Sequence, residues 1–506
     1  MTSGSGLGDL VSSEKFLPAA KEIYYALMPG CETIIQNVRV LDGTGAEEQT
    51  ANVAIDNGLV CEIGDLAEYK ARKLIDGKGR VLSPGFIDVH THDDTNVIRD
   101  PQMLFKLSQG VTTVIAGNCG ISAAPVQLAG PPPDPLNLLG EADAFRYPTF
   151  ASYVAAVGEA RPSVNVAALA GHTAIRSNHM DVLDRPATPA EIRAMRTQLE
   201  EALEHGALGL STGLAYANAR SAPAEEVLSL AELLAAAGAI YASHMRTEGE
   251  EILSAMQEAF DTGRKARVPV VISHLKCAGI ANWGRSGEVL NALDEARAHQ
   301  PVQCDCYPYS ASSSTLDLLQ IDERVRIVIT WSKPHPEMGG KTLQEIAQAW
   351  RVDQKEAGAR LQPAGAIYHA MSEDDVRRIL RHPATMIGSD GLPNDPRPHP
   401  RLWGTFPRVL GHYSRDEGIF PLAEAVRKMT GLPAGRFGLV GRGVIREGSV
   451  ADLVLFDPTT IRDTATFSDP IRAAEGIAAV WVNGVLSYQD GKATGERGGR
   501  FLARPA

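Results

Sequence analysis

Two histidines, His90 and His92, are separated by one residue, and two more, His244 and His274, stand alone; all four close apolar runs. Neutral imidazole is the commonest side-chain ligand for a transition metal, so histidines that end neighbouring strands are candidates to share an ion. Cys119 lies in the run GNCGIS, directly after another apolar stretch. A thiolate among imidazoles would be stabilised by a metal and would bind zinc strongly. Asp390, in GSDG, completes the set. Each residue has an ordinary reading by itself. Buried histidines are mostly hydrogen-bonded structural groups, free cysteines pack as small hydrophobes, and aspartates cap turns. Metal chemistry needs them in one place.

The elements that would bring them together are legible. Candidate strands run over residues 80–90, 111–118, 164–172, 206–214, 239–245, 269–276, 301–309 and 384–390. Helical stretches such as TPAEIRAMRTQLEEALEHG and EEILSAMQEAFDTGRKA separate most of them, with apolar residues at three- and four-residue intervals. Apolar strands joined by helical crossovers read as a parallel (β/α)₈ barrel, a TIM barrel. A doubly wound sheet fits less well, because no glycine-rich phosphate loop follows the first strand. Barrel chemistry sits at the C-terminal strand ends. Those ends carry His90 and His92, Cys119, His172, Tyr216, His244, His274 with Lys276, Tyr307 and Asp390. Five of the 13 histidines fall there. The remaining cysteines, Cys31, Cys61, Cys277, Cys304 and Cys306, are read as packing residues; Cys304 and Cys306 alternate with Asp305 and so face one way.

Outside the barrel the texture changes. From residue 32, and again late in the chain, short strands alternate with Asp-Gly and Asn-Gly turns. The expected organisation is an extension over 1–30, a small β-sandwich domain from 31–82 and 432–500, and a barrel over 83–431. The stretch 310–383 is too long for a plain crossover and is expected to hold a helical insertion after barrel strand 7. The first 30 residues read as a flexible head and a short helix without chemistry.

The chain has 506 residues, 44% hydrophobic and 22% charged, with a formal net charge of −12. That composition is globular and argues against a nucleic-acid or anionic-membrane surface, which needs a basic footprint. Six cysteines are too few for a disulfide scaffold, and no signal peptide or membrane-length apolar run is visible. A cytoplasmic protein is expected.

The segments PGFIDVHTHDD, QGVTTVIAGNCGISAAP, SHMRTEGE, VISHLK, CDCYPY, IGSDGLP and RPHPRLWGTFPRVLGHYSRDEGIFPLAEAVRKMTGLPA occur in order over about residues 32–500. Together they resemble the N-acyl-D-amino-acid deacylases (D-aminoacylases) of the amidohydrolase superfamily. The resemblance implies a (β/α)₈ barrel, a β-sandwich built from both ends, a small subdomain after the seventh strand, and zinc-dependent amide hydrolysis. By position it makes His90 and His92 the first-strand pair, Cys119, His244 and His274 the tight-site ligands, and Asp390 the catalytic aspartate. Two departures stand out: a longer start, and Leu275 where some members carry a second histidine.

On that reading Zn²⁺ is held at one tight site with an open position, its water is activated, and Asp390 carries the proton to the leaving amine. His90 and His92 either hold a second, weaker metal with Cys119 and Asp390 or orient the oxyanion. The substrate is a small N-acyl-D-amino acid, whose α-carboxylate needs a cationic, hydrogen-bonding pocket. Lys276, Arg401, Tyr216 and Tyr307 are the candidates. The side-chain pocket is expected to draw on Leu275 and residues 310–316, favouring uncharged or apolar side chains over acidic ones.

The rival readings are a hydantoinase- or dihydroorotase-type cyclic-amide hydrolase, a deacylase specific for N-acyl-D-glutamate or N-acyl-D-aspartate, a structural relative, and a metal-binding module. A cyclic-amide hydrolase would normally carry a carboxylated lysine at the fourth strand end, and GALGLSTGL has none. A structural relative would have lost ligands. A metal store needs no carboxylate pocket.

Overall fold

The computed structural model describes residues 30–128 and 130–505. The reading of the first 30 residues lies almost wholly outside this range.

Eight parallel strands form the barrel: β1 (Phe86–Asp88), β2 (Val111–Ala116), β3 (Asn165–Ala168, continued by Ala170–Gly171), β4 (Gly209–Gly213), β5 (Ile240–His244), β6 (Val270–Ile272), β7 (Val302–Cys306) and β8 (Thr385–Ile387). Neighbours pair in chain order, and the ring closes where Thr91 bridges Gly391. Both faces of these strands are apolar because both are covered. Inward side chains, including Ile87, Ile115, Ala167, Leu208, Ile240, Val271 and Met386, form an inner core. Phe437, from the helix Gly431–Phe437, packs into that core. Outward side chains such as Val114, Leu210, Tyr241 and Ile272 meet the surrounding helices. The helix α1 (Pro189–Glu204) starts where expected, with a reciprocal Thr188–Glu191 capping box.

The first candidate strand, 80–90, is two strands. Val81–Pro84 belongs to a different sheet, and Gly85 turns the chain into β1. A Cβ on Gly85 would collide with the side chain of Thr112, so the crossover tolerates only glycine. Strands from both chain ends make one nine-stranded sheet, joined by antiparallel pairing of Val81–Pro84 with Leu453–Phe456. It encloses a core including Ile35, Val53, Leu82, Leu455 and Trp481.

The segment after β7 contains more than helices. Ser312–Thr315, Ala364–His369 and Arg326–Ser332 form an antiparallel sheet, backed by the helices Leu343–Trp350 and Gln354–Leu361 over a core including Ile329, Ile346 and Tyr368. DDVRRILRH, expected in the insertion, lies in the helix Glu373–Arg381, which packs on β7 and β8 as a barrel crossover. No helix among the described residues is long and apolar enough to cross a membrane.

Candidate metal centre and active site

The C-terminal strand ends converge. Among the described residues two donor groups are compact enough for a metal ion: His90, His92, Cys119 and Asp390, and Cys119, His244 and His274. Within each group the ligand atoms lie within 4.8 Å of one another, and Cys119 belongs to both. Its Sγ is 3.2 Å from His90 Nε2 and 3.3 Å from His274 Nε2, and His274 Nε2 is 3.0 Å from His244 Nδ1. On the other side His92 Nε2 is 3.1 Å from Asp390 Oδ1.

The backbone aims these groups inward at some cost. Cys119, His274 and Asp390 follow their strands with φ of 55°, 36° and 49°. Left-handed backbone at a non-glycine residue costs of order 1–3 kcal/mol and persists where surrounding structure imposes it. Close packing leaves Cys119 no alternative course. A Cβ on Gly120 would lie 2.7 Å from the Gly213 nitrogen, and one on Gly213 would strike the Cys119 carbonyl.

Electrostatics suit a cation. Burial opposes ionisation of Cys119, yet His90 and His274 outweigh it and hold the thiol well below its ordinary range. Burial likewise opposes the Asp390 carboxylate, but Arg401 and His92 keep it far below the usual value. His92 moves against its own burial to about 9, mainly through its hydrogen bond to Asp390. A thiolate and a carboxylate thus draw protons onto surrounding imidazoles, and a metal cation supplies the same compensation. Sulfur and nitrogen donors of this kind match zinc.

Three supporting carboxylates were not singled out from sequence. Asp305, buried on β7, accepts from the His274 backbone N–H at 2.9 Å and lies 3.3 Å from His90 Nδ1. The alternation that turns Cys304 and Cys306 outward turns Asp305 in, which was the available signal. Glu248 Oε1 lies 2.8 Å from His274 Nδ1 and 2.5 Å from Lys276 Nζ. Asp88 accepts from the buried Lys106 at 2.6 Å and from the Ser389 amide at 2.8 Å, tying the neighbour of Asp390 to β1. No motif spacing marks Glu248 or Lys106.

The proposed substrate residues divide into two layers. Tyr216 and Lys276 line a cavity of about 1080 Å³ together with His92, His244, His274 and Asp390. Lys276 already donates to Glu248 and to the His274 carbonyl. Arg401 is buried behind this wall, with Nη1 2.9 Å from Asp390 Oδ2 and its guanidinium 4.6 Å from the Tyr307 ring centre. Among the described residues Tyr307 Oη and Arg401 Nε have no hydrogen-bond partner, and the Arg401 Nη1 contact is ionic without hydrogen-bond geometry. Leu275 departs from expectation. It is fully buried in the outer core, because alternation between His274 and Lys276 turns it away from the cavity. His172 also faces elsewhere, toward Glu226 at 3.0 Å. Cys61 is exposed rather than packed; the other free cysteines are buried.

The sequence profile of the Amidohydrolase family matches residues 73–488. The chain is 50% identical to a D-aminoacylase from Alcaligenes xylosoxydans xylosoxydans over 467 residues, 92% of this chain and 96% of that protein. It is 48% identical to an N-acyl-D-aspartate deacylase from the same organism, over 93% of this chain and 94% of the relative. The crystal structure of N-acyl-D-glutamate deacylase from Bordetella bronchiseptica, complexed with zinc and a phosphonate mimic of the tetrahedral intermediate, superposes with a TM-score of 0.90. It is 44% identical and covers 94% of this chain and 100% of that one.

Proposed function

The chain belongs to the amidohydrolase family, and from that membership we propose that its site hydrolyses the amide bond of N-acyl-D-amino acids, releasing a carboxylate and a free D-amino acid. The observation that carries the substrate class is the pair of unsatisfied donors beside the metal-ligand cluster. Among the described residues Tyr307 Oη and Arg401 Nε are buried without hydrogen-bond partners, directly beside Asp390 and Lys276, which line the cavity. Buried donors in that state cost about 1–3 kcal/mol each unless an acceptor arrives. An α-carboxylate attached next to the scissile amide is such an acceptor.

Zinc fits the donor set: Cys119, His244 and His274 would hold it, and His90, His92, Cys119 and Asp390 form a second set that could take another ion. Bound there, it supplies Lewis-acid polarisation of the amide oxygen and a more acidic water. The chain's own groups do the rest. Asp390, kept ionised by Arg401, takes a proton from the attacking water as its oxygen bonds to the amide carbon. The C–N bond then breaks, and the same proton passes from Asp390 to the departing amine nitrogen. Arg401 and Tyr307 bind the α-carboxylate. Lys276, already committed to Glu248 and the His274 carbonyl, contributes mainly charge, and Tyr216 forms the opposite wall. Asp305 and Glu248 hold the imidazoles of His90 and His274 in fixed orientation.

Six free cysteines among the described residues, with Cys119 a metal-ligand thiolate on this reading, support a reducing compartment such as the cytoplasm. A panel of N-acetyl-D- and N-acetyl-L-amino acids, assayed for free amine alongside metal analysis, tests the whole proposal. Release from D-substrates by zinc-loaded protein is expected; release from L-substrates alone would overturn it.

A further inference from the structure

The cavity wall specifies what kind of side chain the substrate carries, given the hydrolytic reading above. From His244 the wall runs outward through Tyr216, whose ring centre lies 4.8 Å from the imidazole and whose hydroxyl is 3.3 Å from Ser314 Oγ. The next residue, Thr315, lines the cavity together with Asp134. Asn218 fixes this loop by donating to the Asp134 carbonyl.

Most cations along the cavity are already matched. Arg220 pairs with Asp317 at 3.5 Å, Arg246 with Glu258 at 2.7 Å, Lys276 with Glu248 at 2.5 Å and Arg324 with Asp322 at 2.6 Å, while Lys355 is exposed. Among the described residues Asp134 forms no ion pair. Burial, with Thr315 acting against it and the neighbouring Asp317 reinforcing it, pushes its carboxyl up to about 6. An anion in that position lacks a counterion.

Reach decides which part of the substrate meets it. Arg401 donates to the Ser313 carbonyl at 2.9 Å, and Thr315, two residues further along the strand Ser312–Thr315, lines the cavity with Asp134. Two residues of extended strand cover about 7 Å. A D-amino-acid side chain leaves the same Cα as the α-carboxylate, and an extended lysine or arginine side chain spans that distance. Aspartate is too short, and glutamate would bring a second anion.

We infer that Asp134 is a specificity-determining residue that selects N-acyl-D-amino acids whose side chains end in a cation. The sequence-based expectation is an uncharged or apolar side chain, and the wall does carry Leu138, Leu316 and Ile321; Asp134 adds a carboxylate to it, which shifts the preference toward a long side chain with a cationic end. Acidic side chains remain disfavoured.

The test compares kcat/KM for N-acetyl-D-lysine, N-acetyl-D-arginine, N-acetyl-D-methionine and N-acetyl-D-glutamate in the zinc-loaded wild type, Asp134→Asn and Asp134→Lys. The wild type is expected to favour lysine and arginine over glutamate by about 100-fold, since like charges in contact cost several kcal/mol. Asp134→Asn should lower the lysine-to-methionine ratio about tenfold, the loss of one partly buried charge contact. Asp134→Lys should move the preference toward glutamate. A wild type that takes N-acetyl-D-glutamate best overturns the inference and leaves the hydrolytic reading standing. So does an Asp134→Asn protein with wild-type zinc content and circular dichroism whose lysine-to-methionine ratio is unmoved. If no N-acetyl-D-amino acid is hydrolysed at all, the hydrolytic reading itself fails.

Discussion

His90 and Asp390, 300 residues apart in the chain, are joined twice across the barrel seam: the Asp390 amide donates to the His90 carbonyl at 2.7 Å, and its carboxylate lies 3.6 Å from His90 Nε2. The first contact fixes strand register and the second places a candidate ligand beside the proposed base. Register and chemistry are therefore one constraint. A slip of a single residue between β1 and β8 would turn His90 and His92 away from Asp390 together.

Cys119→Ala should lose metal and activity together. Cys119 is the donor common to both groups, so its removal weakens both sites, whereas a lost outer imidazole weakens one. Zinc content by atomic absorption, measured with the rate, checks this; full zinc and a wild-type rate would remove Cys119 from the centre.

Asp390→Asn should keep zinc at the Cys119, His244 and His274 group and lower kcat by ~10²-fold or more, the usual worth of a positioned acid–base group. Single-turnover measurement separates this from slow product release. An unchanged kcat would assign the proton transfer elsewhere.

Arg401→Lys should not be conservative. The guanidinium stacks over Tyr307 while contacting Asp390 and the Ser313 carbonyl, and an ammonium group cannot reproduce that fork. We expect kcat/KM to fall by ~10²-fold. Because Arg401 also helps keep Asp390 ionised, an N-acyl amine without a carboxylate should lose activity too, but less. Equal losses on both substrates would confine Arg401 to holding Asp390.

Glu226→Gln tests a buried cluster outside the centre. Burial works against the Glu226 carboxylate, but His172, the Ala187 amide and Arg176 bring it down to about 2. A depressed carboxyl stabilises the fold above its unfolded pKa and loses that contribution as pH falls through the folded one. The variant should therefore be less stable at pH 7 by about 3 kcal/mol, and the gap should close from about pH 4.5 toward pH 2. Urea midpoints at pH 7 and at pH 4 measure it; a gap that widens in acid would refute the assignment.

The barrel and the convergence of the candidate ligand residues were legible because both obey simple periodicities. Apolar runs end in polar residues, and alternation sets which side chains point inward. The same alternation, followed through β7 and through His274–Leu275–Lys276, would have put Asp305 in the site and Leu275 outside it. Glu248 and Lys106 were hidden for a different reason: they act across contacts between segments distant in sequence, which no local pattern encodes. The sheet in the insertion was missed because its polar Ser312–Thr315 segment does not look like a strand without its partner Ala364–His369, although the alternating run Arg326–Ser332 carried a strand signal.

The break at Gly85 also sets an order of assembly. Leu82 pairs with Leu455 three residues before the chain turns into β1, so the strand leading to His90 and His92 is anchored by residues near the other end of the protein. On the ribosome that partner emerges only after nearly the whole barrel has been synthesised. Contacts of such long sequence separation form slowly. The histidine pair therefore reaches its final position late, and release of a chain ending before Leu453 would leave Val81–Pro84, and the first barrel strand behind it, held on one edge only, by Arg39 and Val40, however complete the other seven strands were.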